Sequence, residues 1–224
     1  RSEIRIYEGS YNINECNFSE SYIRSDELTY TSVVMNSNFN TCEENFIRDM
    51  SLTELLIDGS SFIDCETYAV KKSGGMLSLR CNTFQSVMGI EANYGSINMT
   101  SLLGAGYNTF DDCHTCLKFE DINALLLQKG FNDFSGYNNH CMMGTINQNC
   151  AENCTLTIDA HYNKWHYVNT SLLGDTKIPC NPPVQQDFSV TTSAALPCGG
   201  YEAGGCEVIF LDANPICETR CRQR

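Results

Sequence analysis

Apolar residues along this chain fall two apart in short runs that end on an aromatic residue, and the run recurs seven times. The stretches YNINECNF, SVVMNSNF, LLIDGSSF, LSLRCNTF, LGAGYNTF, LQKGFNDF and IDAHYNKW align without gaps on Phe18, Phe39, Phe62, Phe84, Phe110, Phe134 and Trp165. Seven positions before the aromatic stand Tyr11, Ser32, Leu55, Leu77, Leu103, Leu127 and Ile158. Five before it stand Ile13, Val34, Ile57, Leu79, Ala105, Lys129 and Ala160. A period of two is one face of a β-strand. Lys129 breaks the pattern and is expected at a coil edge or turned outward.

The aromatics are separated by 21, 23, 22, 26, 24 and 31 residues. Such a period is too short for a propeller blade, lacks the spacing of leucine-rich repeats and shows no helical periodicity. A second apolar stretch follows each of the first six aromatics, from Tyr22-Ile23 to Cys141–Met143. Each unit therefore holds at least two strands, and the pattern predicts an all-β, right-handed parallel β-helix of about seven coils. Six steps of one strand spacing make a column about 29 Å long. Two positions before the aromatic, the last four coils carry Asn82, Asn108, Asn132 and Asn163. Asn in register at successive turns predicts a ladder of stacked side-chain amides, and Asn also tolerates left-handed backbone.

Composition narrows the setting. The chain has 224 residues, 14 cysteines and a formal charge of −13. So acidic a body repels phosphate backbones and anionic lipid, which argues against nucleic-acid partners. No run reaches the roughly 20 apolar residues that span a bilayer, so membrane insertion is not expected. The chain opens on strand-like Ile4-Arg5-Ile6-Tyr7 without a visible signal peptide, as a mature product or a piece of something longer would. No cofactor is expected; calcium is the one ion an acidic surface would suit.

Cysteines scattered along the whole chain favour disulfides in an oxidising compartment over zinc, although Cys113/Cys116 and Cys150/Cys154 have zinc-ligand spacing. Cys42 and Cys65 each lie three residues after their aromatic in adjacent coils, about one strand spacing apart, and predict a bridge. Cys116 and Cys141 are a second candidate pair. Cys113, two coils above Cys65, is too far to join it. Cys150 and Cys154 fall in the longest interval, read as a loop extruded from the last coil. The column is assigned to residues 1–168. Residues 169–224, rich in Pro, Gly and Cys, are assigned to a loop-like cap or linker in which Val208–Leu211 forms a strand.

Runs such as Cys81-Asn82-Thr83-Phe84 and Tyr107-Asn108-Thr109-Phe110-Asp111-Asp112-Cys113 resemble the right-handed β-helix repeats of large secreted proteins from Bacteroidetes-type bacteria. Ala160-His161-Tyr162-Asn163-Lys164-Trp165 is similar to the Asn-x-Trp motif that closes their last coil, although His166 follows where those proteins usually have Gly. The resemblance covers roughly residues 10–170. It implies export to the cell surface and an adhesin-like role.

Catalytic signals are weak. The basic candidates Lys71, Lys72, Arg80, Lys118, Lys129 and Lys164 sit at unmatched offsets from the aromatics and are not expected to share a face. Asp111-Asp112, the best acid pair, has Ile63-Asp64 and Gln85-Ser86 at the same offsets, which is no acid cluster. His114, His140, His161 and His166 are scattered, and the sequons at Asn17, Asn98, Asn153 and Asn169 suit Asn-rich turns. The expectation is an extracellular structural or adhesive surface module, not an enzyme. It would meet other surface proteins, copies of itself or glycans. The runner-up is a carbohydrate-binding or polysaccharide-degrading β-helix, by analogy with the fold.

Overall fold

A computed structural model describes residues 2–134, 136–148, 155–160, 163–165, 188–194 and 207–211. It is all-β, and its strands stack in parallel as a β-solenoid of about six turns. Each turn contributes one strand to each of three sheets. Sheet A runs from Ser2–Ile6 through Ser21–Ser25, Ile47–Asp49, Val70–Ser73, Ile90–Asn93 and Cys113–Ile122 to Tyr137–Gln148. Sheet B begins at Asn12–Asn14 and reaches Ala124–Leu126, while sheet C begins at Asn17–Ser19 and reaches Lys164–Trp165. No turn could bury its apolar face alone; stacking makes the core continuous.

The repeated aromatics are the spine of sheet C. Phe18, Phe39, Phe62, Phe84 and Phe110 are register partners, and the last described pair is Phe134 with Trp165. The phenyl rings from Phe18 to Phe134 stack nearly parallel, 4.6 to 5.2 Å between centroids. This offset arrangement adds to the area each ring buries.

The amide ladder forms and is longer than expected. The Oδ1 of Asn108 accepts the backbone N–H and side-chain amide of Asn82, at 3.1 and 3.0 Å. Asn132 does the same for Asn108, and Asn163 for Asn132. Below Asn82 the ladder continues on hydroxyls. The Ser60 N–H donates to Asn82 Oδ1, Ser37 N–H to Ser60 Oγ, and Cys16 N–H to Ser37 Oγ, at 3.0 to 3.1 Å. All four Asn of the ladder are fully buried. One residue earlier, Glu15, Asn36, Gly59, Cys81, Tyr107 and Phe131 hold φ between 48° and 61°, so every such corner among the described residues is left-handed.

Sheet B corrects part of the sequence alignment. Leu77 pairs with Ile97, and Ile97 with Leu125. Leu103 therefore does not occupy the core; it is 62% exposed at the end of a short 3₁₀ turn, Ser101–Leu103. That turn is an insertion, which explains the 26-residue interval and why a gapless alignment slipped there. Lys129 does turn outward, exposed, at φ 50°.

The tail also departs from the loop-like cap expected after residue 168. Phe188–Ala194 adds a parallel strand to sheet A beside Tyr137–Gln148. Glu207–Leu211, which contains the expected strand, pairs in parallel with Thr155–Asp159. The remainder of the expected cap lies outside the described residues.

Candidate functional site

Sheet A positions two unusual files of side chains, one on each face. Because side chains alternate along a strand, register partners lie above one another on the same face. The outward file is Arg5, Arg24, Arg48, Lys71, Glu91 and Lys118, each paired with the next. Five of six positions are basic on a chain of 27 acidic and 14 basic residues. This overturns the expectation that the basic side chains share no face: Lys71 and Lys118 do, together with three arginines.

Acids accompany the file at its ends. Arg5 Nε lies 2.6 Å from Glu3, and Arg24 Nε a looser 3.8 Å from Asp26. Glu91 joins Lys71 at 2.5 Å and Lys118 at 3.2 Å. Burial alone would raise the Glu91 pKa, but the two ammonium groups outweigh it and hold the carboxyl below its ordinary range. Lys118 also lies over the Tyr68 ring, 5.4 Å from its centroid. Arg48, between Arg24 and Lys71, has no ion pair among the described residues, and its Nε is buried without a hydrogen-bond partner.

The inward file is Ser25, Asp49 and Lys72, continued by Ala92 and Phe119. It sits beside an apolar file of Ile23, Ile47, Val70, Ile90 and Leu117. Lys72 is 2% exposed and Asp49 not at all, with 3.6 Å between Nζ and Oδ1. The ammonium donates to the Ser51 carbonyl at 2.5 Å, and Asp49 Oδ1 accepts the Ser51 N–H at 2.8 Å. Burial pulls the Lys72 pKa down, against the opposing effect of Asp49. Tyr11 OH, Ser25 Oγ and Asp49 Oδ2 lack well-formed hydrogen bonds, and burial with the Asp49 charge pushes the Tyr11 phenol upward. Nothing in the one-dimensional pattern singled out this cluster.

The cysteine register agrees with the sequence reading, but the bridges expected from it are not closed: Cys42, Cys65, Cys116 and Cys141 are all thiols. Cys42 and Cys65 are direct partners in sheet C. Thr115 pairs with His140 and Leu117 with Met142, which sets Cys116 opposite Cys141. In each pair the thiols interact; with burial, this pushes Cys65 and Cys116 far above the ordinary thiol range. Such thiols are poor nucleophiles at neutral pH. Gly89 makes the corner at Cys116, where a Cβ would collide with the Thr115 and Cys116 carbonyls. Cys113 is a buried thiol whose Sγ donates to the Phe84 carbonyl at 3.4 Å. Cys81 stands at a left-handed corner. Cys150 and Cys154 lie outside the described residues.

At the corner after sheet C, Cys65, Glu66, Ser86, Val87, Met88, Asp112 and His114 line an open depression of about 380 Å³. Ser86 Oγ donates to Asp112 Oδ2 at 3.3 Å. Asp111 falls level with Gln85 and Ile63, as the sequence spacing indicates. Asn98 is buried and its amide donates to Ser78 Oγ, so that sequon is inaccessible in the folded column. His161 and His166 lie outside the described residues, and so does the His140 side chain.

Comparison with family models, curated proteins and solved structures finds no match.

Proposed function

We propose that this chain is an extracellular structural and adhesive module of a cell surface, one subunit or segment of a larger surface fibre or complex, and not an enzyme. The observation that carries this reading is the unbroken double ladder. Stacked Phe rings and the Ser/Asn rungs run the length of the described column, which supports a stiff rod that displays side chains on its outer faces. Its partners are other surface proteins, copies of itself and glycans, and it needs no cofactor. The scattered cysteines, with two thiol pairs held opposite one another, suit an oxidising compartment in which those pairs close.

The test is adhesion. Beads coated with the folded chain are expected to attach to cell-surface or matrix preparations, and beads coated with the heat-unfolded chain are not. Release of an unsaturated or reducing product from any polysaccharide would overturn the reading. The depression bearing Glu66, Asp112 and His114 supports a second reading, a polysaccharide-degrading β-helix, because carboxylates and an imidazole are the acid–base groups such chemistry uses.

A further inference from the structure

We infer that the outward file of sheet A binds a linear acidic polysaccharide of the hexuronate class, with Arg24, Arg48 and Lys71 as its three cationic contacts. The proposal rests on the adhesive reading and names its ligand.

Like charges directly opposite one another on a sheet are destabilising. Here three cations follow one another at single strand spacing, about 4.8 Å, on a protein with a large excess of acids. The neighbouring acids relieve this unevenly. Glu91 serves Lys71 and Lys118, and Glu3 serves Arg5. Asp26 approaches Arg24 only to 3.8 Å. Arg48 stands between two cations with a buried Nε that donates to nothing. A bound anion would cancel the repulsion on both sides of it.

The shape of the file selects the ligand. It is one residue wide and flanked by acids, which suits a single extended chain and disfavours a duplex or a lipid surface. An anionic polymer extended along the column meets one cation per strand spacing, a length comparable with one sugar residue, about 5 Å. Arginine presents a planar fork of donors that matches a carboxylate bidentately. Two of the three contacts are arginines, so uronate carboxylates fit better than a tetrahedral anion.

The experiment is affinity electrophoresis of the intact chain through gels containing polygalacturonate, dextran sulfate, unmodified dextran or duplex DNA. Polygalacturonate is expected to retard the protein most, and roughly 0.5 M salt to abolish the effect. Arg48→Gln is expected to weaken binding at least tenfold, with an unfolding midpoint no lower than the parent's because a repulsion has been removed. Glu91→Gln frees Lys71 and Lys118 and is expected to strengthen binding several-fold, so the proposal remains testable even if the Arg48 variant fails to fold. Equal or stronger retardation by dextran sulfate, DNA or unmodified dextran would overturn it. So would an unchanged affinity in a folded Arg48→Gln protein, or weaker binding by Glu91→Gln. Bead adhesion measured in parallel separates the two readings: adhesion without uronate binding overturns this inference alone, and loss of both overturns both.

Discussion

The interior beneath sheet C and the interior beneath sheet A are built on opposite plans. Beneath sheet C, each turn repeats the same two devices, a stacked phenyl ring and a ladder residue whose side chain receives the N–H below it. Among the described residues the ladder side chains find partners in the turns on either side, so regularity itself satisfies these buried groups. Beneath sheet A, one register line changes from Ser25 to Asp49 to Lys72 to Ala92. Its charges are buried and only partly satisfied. A periodic sequence can make a polar interior stable where each rung serves its neighbour; a single ion pair must be compensated within its own surroundings.

The largest test of that contrast is the buried pair. Asp49→Leu leaves the Lys72 ammonium without its counter-charge and is expected to cost about 3–5 kcal/mol, whereas adding Lys72→Met is expected to restore or exceed parental stability by about 1–4 kcal/mol. Denaturant midpoints for the two variants decide it; a more stable single variant would show that the pair is not what holds that rung.

Next in size are the cysteines, one pair bordering each region. Oxidation that closes Cys42 to Cys65, or Cys116 to Cys141, is expected to stabilise the column by about 3 kcal/mol per bridge in the chain-entropy model. Cys42→Ser should remove one such increment, and peptide mapping that joined Cys42 to another cysteine would refute the pairing.

The ladder itself should show a gradient. Asn108→Ala strands the N–H of Asn82 and takes one of two donors from the Leu79 carbonyl and is expected to cost about 1–3 kcal/mol. Ser60→Ala removes one acceptor, for Ser37 N–H, and should cost less. Equal costs would mean that the amide rungs hold no more than the hydroxyl rungs.

The smallest effect lies on the outer face. The Glu91 carboxyl is held below its ordinary value in the folded chain. Its contribution is therefore present above the unfolded value, about 4.5, and is lost as pH falls through the folded one. With both lysine partners reaching solvent, this is worth under about 1 kcal/mol. Glu91→Gln should flatten the acid side of the stability profile between those values, as thermal melts across pH 3–6 would report.

How much of this was legible depended on distance from the aromatic. Sheet C lies within a few residues of it, so the Phe spine, the four Asn and the Cys42/Cys65 register followed from fixed offsets. The ladder's Ser37 and Ser60 sat at the same offset, but the pattern there was read as an Asn motif, although a hydroxyl can accept the same N–H. Sheet A lies beyond a corner of variable length. Its basic file falls six residues after Phe18 at Arg24, nine after Phe39 at Arg48, nine after Phe62 at Lys71 and eight after Phe110 at Lys118. Offset counting therefore scattered a file that backbone register aligns. The Ser101–Leu103 insertion misplaced Leu103 for the same reason.

The left-handed corners have a wider consequence. At that one position per turn the backbone conformation is imposed by bonds the neighbouring turns make, and residues as unlike as Glu15, Asn36, Gly59, Cys81, Tyr107 and Phe131 accept it. Tyr107 and Phe131 already stack as a local aromatic patch, 5.1 Å apart. That edge is a row of interchangeable sockets, where mutation can write new surface chemistry turn by turn while the spine behind it stays the same.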